Sequence, residues 1–445
     1  MMEALQSDRL LGMELYATDS PGCGGRLRTE SSDFVVEEIY EGHIYEGGRY
    51  LVVEVEKVDW ETHHLVRDLS RQLQISQKRF GWAGTKDKKA VTRQRMSIMA
   101  LEEEALRRVA LPGVKIRVLG RSNRGVSLGD LRGNRFAVRI REVDLDDREA
   151  ARRVATVTEE IEERGGLPNY FGVQRFGEVR PVTHLVGEAL VRGEPERAAM
   201  TYLALPFPGE RESTREARER LLADRDFAAA LKEYPLRLRY ERAMMARLQE
   251  DGDFARSFDV LATNLKRLFV HAYQSLLFNR ILSRRMRSGL PLDRAVEGDV
   301  VCFSKGGLPD VDKIQAVDKS NVAAVNRLAE RGRAFVTLPL FGYRSSFSEG
   351  LPGEIERSVL EEEGVDLSGF QVEANPDLGS PGSRRPALLR VEPRAEIEGG
   401  ACVLLKFDLP AGSYATVVLR EYMKPTEEGG LGEGGHSSVP SSDIL

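Results

Sequence analysis

A change of residue pattern that reverses near the C-terminus constrains the fold most. The first third of the chain alternates strand-like and helix-like segments, whereas residues 212–287 are rich in Arg, Leu and Ala with long helical periodicity. Residues 401–409, ACVLLKFDL, return to the pattern of a strand. Because 445 residues exceed the usual size of one domain, this order predicts a domain inserted into a fold that the last strand and helix complete.

Local periodicity in the first third predicts an α+β fold with hairpin-like connections. Alternating apolar residues predict strands at 49–57, 93–99 and 133–142. Apolar residues at helical spacing predict helices at about 62–73 and 147–164. Thr62 is expected to cap the first of these helices. Residues 345–400, which are rich in Gly and Pro, are expected to form loops or a domain boundary.

Composition argues against several classes of protein. Hydrophobic residues make up 41% and charged residues 30%, and no apolar run approaches the length of a membrane span. The N-terminus lacks the residue order of a secretory signal. Cys23, Cys302 and Cys402 lie far apart, so we expect no disulfide scaffold, and no metal site is predicted. These features predict a cytoplasmic protein that does not associate with membranes.

Basic residues are concentrated in two segments, although the net charge is -5. Within residues 78–95 the only acidic residue is Asp87, and within residues 115–141 it is Asp130. Phosphate contacts by Lys and Arg supply most of the sequence-independent affinity for RNA, so this segregation predicts an RNA-binding face. For either segment alone, a solvated basic surface explains the pattern equally well.

Residues 81–94, GWAGTKDKKAVTRQ, hold a single carboxylate among several cations. Nearby positive charge favours the ionised form of an acid, which makes Asp87 a candidate nucleophile. Short motifs produce many false positives. By charge pattern alone, the commoner alternative is a surface loop in which Asp87 caps a helix or pairs with a lysine.

Residues 169–177, NYFGVQRFG, join aromatic rings to amide and guanidinium groups. Aromatic faces can hold an unstacked base, and amides can bond its Watson–Crick edge. Taken alone, the segment fits a hydrophobic turn with glycine breaks better. In the same way, residues 26–28 followed by DFVVEE at 33–38 form, by themselves, a charged turn that leads into a strand.

These three segments and three others resemble the TruD family of tRNA pseudouridine synthases. The matching segments, in chain order, are RLRTESSDFVVEE, GWAGTKDKKAVTRQ, RGNRFAVRIRE, NYFGVQRFG, HAYQSLLFNRIL and FDLPAGSYATVVLREYMK. The resemblance spans residues 26–424. It implies a pseudouridine synthase fold with a mixed, largely antiparallel sheet at 1–184 and 386–424, and an inserted α/β TRUD domain near 185–385. The composition of residues 425–445, which include EEGGLGEGGHSSVPSS, predicts a disordered tail.

The resemblance also implies roles for individual residues. Asp87, the aspartate of the family's G-x-K-D motif, is the expected catalytic nucleophile, and Arg28 is expected to pair with it. Phe34 and Phe171 are expected to pack around the target uracil, and Asn169 to hydrogen-bond near the catalytic loop. The residues expected to bind RNA are Lys78, Arg79, Lys86, Lys88, Lys89, Arg93, Arg132, Arg135 and Arg175.

The implied activity is conversion of uridine to pseudouridine in tRNA, at uridine 13 of the D arm, without a cofactor. The uracil is detached, rotated and reattached through C5, and the sequence leaves open whether Asp87 attacks C1′ of the ribose, attacks C6 of the base or acts by a related route. The expected partner is tRNA, with no obligatory protein partner. One alternative is a non-catalytic tRNA-binding protein with a structural Asp87. A metal-dependent RNA hydrolase would need converging carboxylates, which a lone aspartate among lysines does not provide.

Overall fold

The computed structural model describes residues 2–40 and 47–424. Contacts divide these residues into two units. We call them the sheet unit, made of residues 18–40, 47–166 and 390–424, and the helical unit, made of residues 2–17 and 167–389. The predicted disordered tail at 425–445 lies outside the described residues. Within the described ranges, none of the helices combines the length and apolar character needed to cross a membrane.

Strands and helices are numbered in chain order. The strands are β1 (Arg26–Leu27), β2 (Phe34–Ile39), β3 (Tyr50–Val58), β4 (Phe80–Trp82), β5 (Val91–Met99), β6 (Val114–Ser122), β7 (Gly133–Arg141), β8 (Leu167–Pro168), β9 (Val300–Lys305), β10 (Leu308–Ala316), β11 (Ala334–Leu340), β12 (Ser383–Pro386), β13 (Leu388–Leu389), β14 (Arg394–Ile397) and β15 (Val403–Pro410). The helices are α1 (Gln6–Arg9), α2 (Thr62–Leu73), α3 (Asp147–Glu163), α4 (Thr183–Val191), α5 (Pro195–Ala204), α6 (Glu212–Asp224), α7 (Phe227–Glu233), α8 (Arg239–Asp251), α9 (Phe254–Ser257), α10 (Thr263–Arg287), α11 (Val322–Glu330), α12 (Gly350–Glu363) and α13 (Ala415–Tyr422).

The sheet unit is built on one mixed sheet with the strand order β14-β15-β7-β2-β5-β3-β6, to which β1 and β4 add at β7 and β5. Its pairings are antiparallel except for β2 with β5, which is parallel. The predicted mixed, largely antiparallel sheet is therefore confirmed. The predicted alternation on β3 is also confirmed, because Leu51, Val53 and Val55 are buried in a core that includes Leu65 and Leu69 of α2.

The late strand β15 completes this sheet. All of β15 pairs with residues 133–140 of β7, with Phe407 opposite Phe136 and Asp408 opposite Arg135. The rings of Phe136 and Phe407 stack with their centroids 5.3 Å apart. The return of strand character near the C-terminus thus has a structural cause: the last part of the chain supplies a buried strand to a sheet whose other long strands come before residue 142.

The helical unit is organised around α10, which is buried along most of its length and packs against α4, α12 and β11. Its sheet has the order β10-β9-β11-β12 with antiparallel pairings, and β13 pairs with β8. The helical periodicity predicted for 212–287 is confirmed by α6, α7, α8, α9 and α10. The longer segment of this unit runs from residue 167 to residue 389, whereas the sequence places the edges of the insert near 185 and 385.

One local prediction is wrong and another holds only in part. Thr62 does not cap α2, because Glu61 is the N-cap residue and its carboxylate accepts the His64 N–H at 2.8 Å. Residues 345–400 were expected to form loops or a domain boundary; they include the division between the two units after residue 389, but they also contain α12. Pro352 is the third residue of that helix, where a missing N–H removes no intrahelical hydrogen bond, so proline is compatible with a helix start.

Candidate active site

The loop between β4 and β5, residues 83–90, presents Asp87 beside Arg28. The Arg28 Nη2 lies 2.9 Å from the Asp87 Oδ2, although the two residues are 59 positions apart. The Asp87 side chain is 43% exposed and that of Arg28 is 9% exposed. The structure therefore brings the two residues together, with the cation enclosed and the carboxylate accessible to a substrate.

Arg28 is held by its backbone and by an aromatic ring. Its φ is +56°, in the left-handed region that residues other than glycine seldom adopt. Its guanidinium carbon lies 4.3 Å from the centroid of the Phe34 ring, a cation–π contact. Phe34 is buried, and its ring packs edge-on against Phe136 at 6.1 Å. Phe34 thus supports the cation that meets Asp87.

Buried polar side chains hydrogen-bond the backbone of the loop at 83–90. The backbone N–H of Lys86 donates to the Thr62 hydroxyl at 3.1 Å, and that hydroxyl donates to Gln94 at 3.2 Å. Gln94 donates in turn to the Gly84 carbonyl at 3.4 Å. Thr62 and Gln94 are fully buried, so these bonds are shielded from water. The hydroxyl predicted to cap α2 instead fixes the residue that precedes Asp87.

Two lysines also anchor this loop. The Lys86 Nζ lies 2.6 Å from the Glu38 Oε1, and neither side chain is more than 7% exposed. Lys57 reaches the loop from β3, where its ammonium donates to the Asp87 carbonyl at 3.2 Å. Burial lowers the pKa of Lys57 to about 8, against the opposing effect of the Asp87 charge. The loop at 83–90 is therefore fixed through side-chain and main-chain contacts on its inner side.

Asn169 and Phe171 lie in the helical unit, where both are buried. The Asn169 Nδ2 donates to the Pro386 carbonyl at 3.0 Å, and its Oδ1 accepts from Arg385 at 2.6 Å. The same Arg385 guanidinium lies 4.2 Å from the Phe171 ring centroid. Phe171 also meets Phe278 edge-on at 5.5 Å. Asn169 and Phe171 are thus joined through one arginine.

The residues predicted to bind RNA differ in exposure and in their contacts. Contacts within the protein join Lys86 to Glu38, Arg93 to Glu37 and Glu56, Arg135 to Asp408, Arg79 to the Met99 and Ala100 carbonyls, and Arg175 to Ser275. Lys78, Lys88 and Arg132 are exposed, and Lys89 is half-buried. Ion pairs also engage other cations of residues 115–141, which include Lys115, Arg117, Arg121, Arg124, Arg139 and Arg141.

Comparison with known proteins identifies the family. The family profile for tRNA pseudouridine synthase D (TruD) matches residues 10–422. The chain belongs to the TruD family of tRNA pseudouridine synthases. As a TruD enzyme it is an isomerase that modifies tRNA.

Relatives agree over nearly the full length of this TruD chain. The tRNA pseudouridine synthase D of Methanococcoides burtonii is 50% identical over 425 residues, which covers 94% of this chain and 97% of that protein. That of Pyrococcus furiosus is 40% identical over 418 residues, covering 94% and 100%. A crystal structure of the TruD protein from Methanosarcina mazei matches with a TM-score of 0.85 at 50% identity, covering 95% of this chain and 99% of that one.

Sequence reasoning missed several residues that contact the predicted site residues or their loop. Lys57 lies outside the matching segments, because its role comes from burial and from the loop carbonyls. Glu38 lies in the matching segment RLRTESSDFVVEE, but its buried partner Lys86 comes from a distant part of the chain. Arg385 lies in the segment that was expected to be loops or a boundary. Asn279, whose amide bonds the N–H and the carbonyl of Phe171, does lie in one of the matching segments, HAYQSLLFNRIL. For Asn279, membership of that segment was the available sequence signal.

Proposed function

We propose that this TruD enzyme converts uridine 13 in the D arm of tRNA to pseudouridine and that Asp87 is its catalytic residue. The observation that carries the proposal is the Arg28–Asp87 ion pair at 2.9 Å, with a carboxylate that is 43% exposed. A buried cation that hydrogen-bonds a carboxylate directs it toward one point in space. The assignment of position 13 is supported by the family resemblance.

The proposed isomerisation of uridine requires one anionic oxygen from the protein. In the net reaction the N1–C1′ bond breaks, a C5–C1′ bond forms, and the hydrogen of C5 is replaced while N1 gains one, so no electrons are exchanged with a cofactor. Asp87 attacks C1′ of the ribose or C6 of the base, or acts on the glycosidic step by a related route, and nucleophilic attack at either carbon requires its anionic oxygen. Arg28 keeps the carboxylate oriented between the two steps of detachment and reattachment.

Base contacts are proposed for Phe34, Asn169 and Phe171. Each phenylalanine ring contacts a guanidinium group. The guanidinium carbon of Arg28 lies 4.3 Å from the Phe34 ring centroid, and that of Arg385 lies 4.2 Å from the Phe171 ring centroid. Guanidinium and uracil are both planar, so a ring that accepts one can accept the other on an aromatic face. Phe171 has no hydroxyl, and it therefore stacks and cannot act as a base.

For binding of tRNA we propose phosphate contacts at Lys88 and Lys89, which lie in the loop at 83–90 that we call the catalytic loop, and at the exposed Lys78 on the turn before β4. Arg132 is a further exposed cation and Arg175 a half-buried one. We propose that Lys86, Arg93 and Arg135 act first within the protein, because each is paired with a carboxylate. We also propose that residues 185–385 form the inserted TRUD domain, which the helical unit at 167–389 supports.

The test is Asp87→Asn, assayed on unmodified tRNA with pseudouridine located by mass. The wild-type protein should modify position 13, and the variant should yield no product while binding tRNA and unfolding at the wild-type temperature. An amide of the same size preserves packing but lacks the anionic oxygen. Asp312→Asn, at an exposed aspartate in the helical unit, is the matched control and should keep full activity.

Three outcomes would contradict parts of the proposal. A folded Asp87→Asn protein that converts uridine near the wild-type rate would reject Asp87 as catalytic residue. Product at another uridine would reject position 13 alone. A wild-type protein that binds tRNA without forming any product would favour the non-catalytic binding protein.

A further inference from the structure

We infer that Lys57 is a positioning residue for the catalytic loop: its buried ammonium holds main-chain carbonyls of that loop and thereby sets the direction in which the Asp87 carboxylate points. The inference rests on the proposed catalytic role of Asp87. It concerns a residue that touches neither the reacting atoms nor the Asp87 carboxylate in the contacts described above.

The register of the sheet places Lys57 under the loop. On β3 it lies opposite Thr92 of β5 and Val114 of β6. The alternation along β3 puts it on the same face as Val53 and Val55, and it is 0% exposed. A lysine at this position therefore occupies a place that the strand pattern would assign to an apolar side chain.

The ammonium group uses its three donors on main-chain oxygens. It donates to the Asp87 carbonyl at 3.2 Å, to the Lys86 carbonyl at 3.5 Å and, through a short bond, to the Trp60 carbonyl. The Lys86 carbonyl belongs to the peptide bond before Asp87, and the Asp87 carbonyl belongs to the peptide bond after it. Because they fix successive peptide planes, they restrict the rotation of the Asp87 backbone and hence the direction of its side chain.

A purely structural role would not require a lysine. Full burial of an ammonium is rare and unfavourable, and well-packed apolar residues often replace buried charges without loss of stability. What an apolar residue cannot do is bind the loop carbonyls. The charges that face Lys57 are Asp87 and Lys86 of the loop together with Asp59 and Glu61, so the acidic groups outnumber the basic one and partly offset the burial of the ammonium.

The same geometry makes the loop sensitive to pH. The pKa of Lys57 is about 8, below its ordinary value, because burial disfavours the ammonium. Below this pH the side chain is protonated and can bind all three carbonyls. Above it the neutral amine has lost one donor and its charge, so the hold on the loop weakens. We expect kcat to fall as the pH rises through about 8.

The test is Lys57→Met, which keeps an unbranched side chain of nearly the same length and removes the donors. We expect kcat to fall by roughly 10- to 100-fold, since small displacements of a catalytic group have effects of that order. The KM for tRNA should stay within about 2-fold, because phosphate contacts supply most of the affinity. The alkaline decline of kcat near pH 8 should disappear in the variant. Lys57→Arg, which retains a charge that does not titrate, should recover part of kcat and move the decline to higher pH.

The control is Lys406→Met, the same substitution on β15 of the same sheet, where the lysine is exposed and pairs with Glu396. It should leave kcat and its pH profile unchanged. If Lys57→Met retains wild-type kcat while Asp87→Asn is inactive, the inference fails and the proposed function stands. If Asp87→Asn is active, the proposed function itself fails. Should Lys57→Met not fold, the wild-type enzyme decides, because a flat kcat between pH 7 and about 9 would overturn the inference.

Discussion

Glu38 and Lys86 form a buried ion pair on the inner side of the loop at 83–90, with 2.6 Å between the Glu38 Oε1 and the Lys86 Nζ. Lys86 precedes Asp87 in the chain, and the two side chains differ in exposure, 7% for Lys86 and 43% for Asp87. The basic residue that sequence reasoning assigned to RNA therefore points inward, and its neighbour is left accessible.

Removing the acid of this pair should be costly. We predict that Glu38→Gln lowers the free energy of unfolding by about 3–5 kcal/mol, because it leaves a buried cation without its partner. The measurement is chemical denaturation. Adding Lys86→Met to Glu38→Gln should recover part of the loss. Glu396→Gln, which breaks the exposed pair with Lys406, should lower the free energy of unfolding by less than about 1 kcal/mol. If Glu38→Gln and Glu396→Gln lowered it equally, burial of the Glu38–Lys86 pair would not be the cause of the loss.

Arg28→Met should reduce activity while leaving the fold intact. Removing the cation that orients Asp87 should lower kcat by about 10²-fold, as is typical for the loss of one electrostatic partner in an active site. The defect should be milder than that of Asp87→Asn, because the nucleophile is still present. Single-turnover kinetics on tRNA would measure it. A loss confined to tRNA affinity would show that Arg28 acts on phosphate instead.

Phe171→Ala should slow isomerisation more than it weakens tRNA binding. We also expect a loss of about 3–5 kcal/mol in the free energy of unfolding, since the ring is buried against Phe278. Phe370→Ala is the matched control, because that ring is 0% exposed in the same unit. Equal loss of stability in both variants with loss of kcat in Phe171→Ala alone would support base stacking. Unchanged catalysis in Phe171→Ala would assign that ring to the core.

Binding of tRNA should weaken steeply as salt increases, since contacts with phosphates release counterions. The double variant Lys88→Ala and Lys89→Ala should reduce the slope of log Kd against log salt by about 1–2. Lys319→Ala, at an exposed lysine of the helical unit, should leave the slope unchanged. Affinities that do not depend on salt would count against residues 78–95 as an RNA-binding segment.

Acid should destabilise the helical unit through His184. Burial, with a smaller effect of the Arg280 charge, lowers the pKa of His184 from 6.5 to about 4. Between these values the unfolded chain binds a proton that the folded chain does not, so stability falls as the pH drops from about 6.5 to about 4, by up to about 3 kcal/mol. His184→Gln should flatten this part of the stability profile, whereas His63→Gln, at an exposed histidine, should not. An unchanged profile in His184→Gln would exclude this explanation.

The strands of the sheet unit were predictable because alternation along a strand reports one buried face, as Leu51, Val53 and Val55 do on β3. The cap of α2 was not. Glu61 and Thr62 are both able to accept a backbone N–H, and the choice depends on Lys86, whose N–H occupies the Thr62 hydroxyl. Lys86 lies 24 residues from Thr62 in the sequence, and only the tertiary fold places the two residues in contact.

The charge pattern was the least reliable guide to the site. A run of basic residues describes neighbours along the chain, whereas strand pairing creates other neighbours. Arg139 meets Glu398 from 259 residues away, and Arg93 meets Glu37 and Glu56 on the strands beside it. The partners of Lys57 are main-chain carbonyls, which every residue possesses, so no sequence pattern could have indicated them.

The pairing of β15 with β7 has a consequence for synthesis of the protein. Arg135 and Asp408, which pair across these strands, are 273 residues apart. At about 5–20 residues per second, a ribosome needs roughly 14 to 55 s to deliver the second strand after the first. During that interval β7 presents an unpaired edge, the kind of surface that chaperones shield and that promotes association between chains. A chain truncated before residue 403 would lack β15 and would expose this edge of β7 permanently. We therefore expect the truncated protein to aggregate or to be degraded, in addition to being inactive.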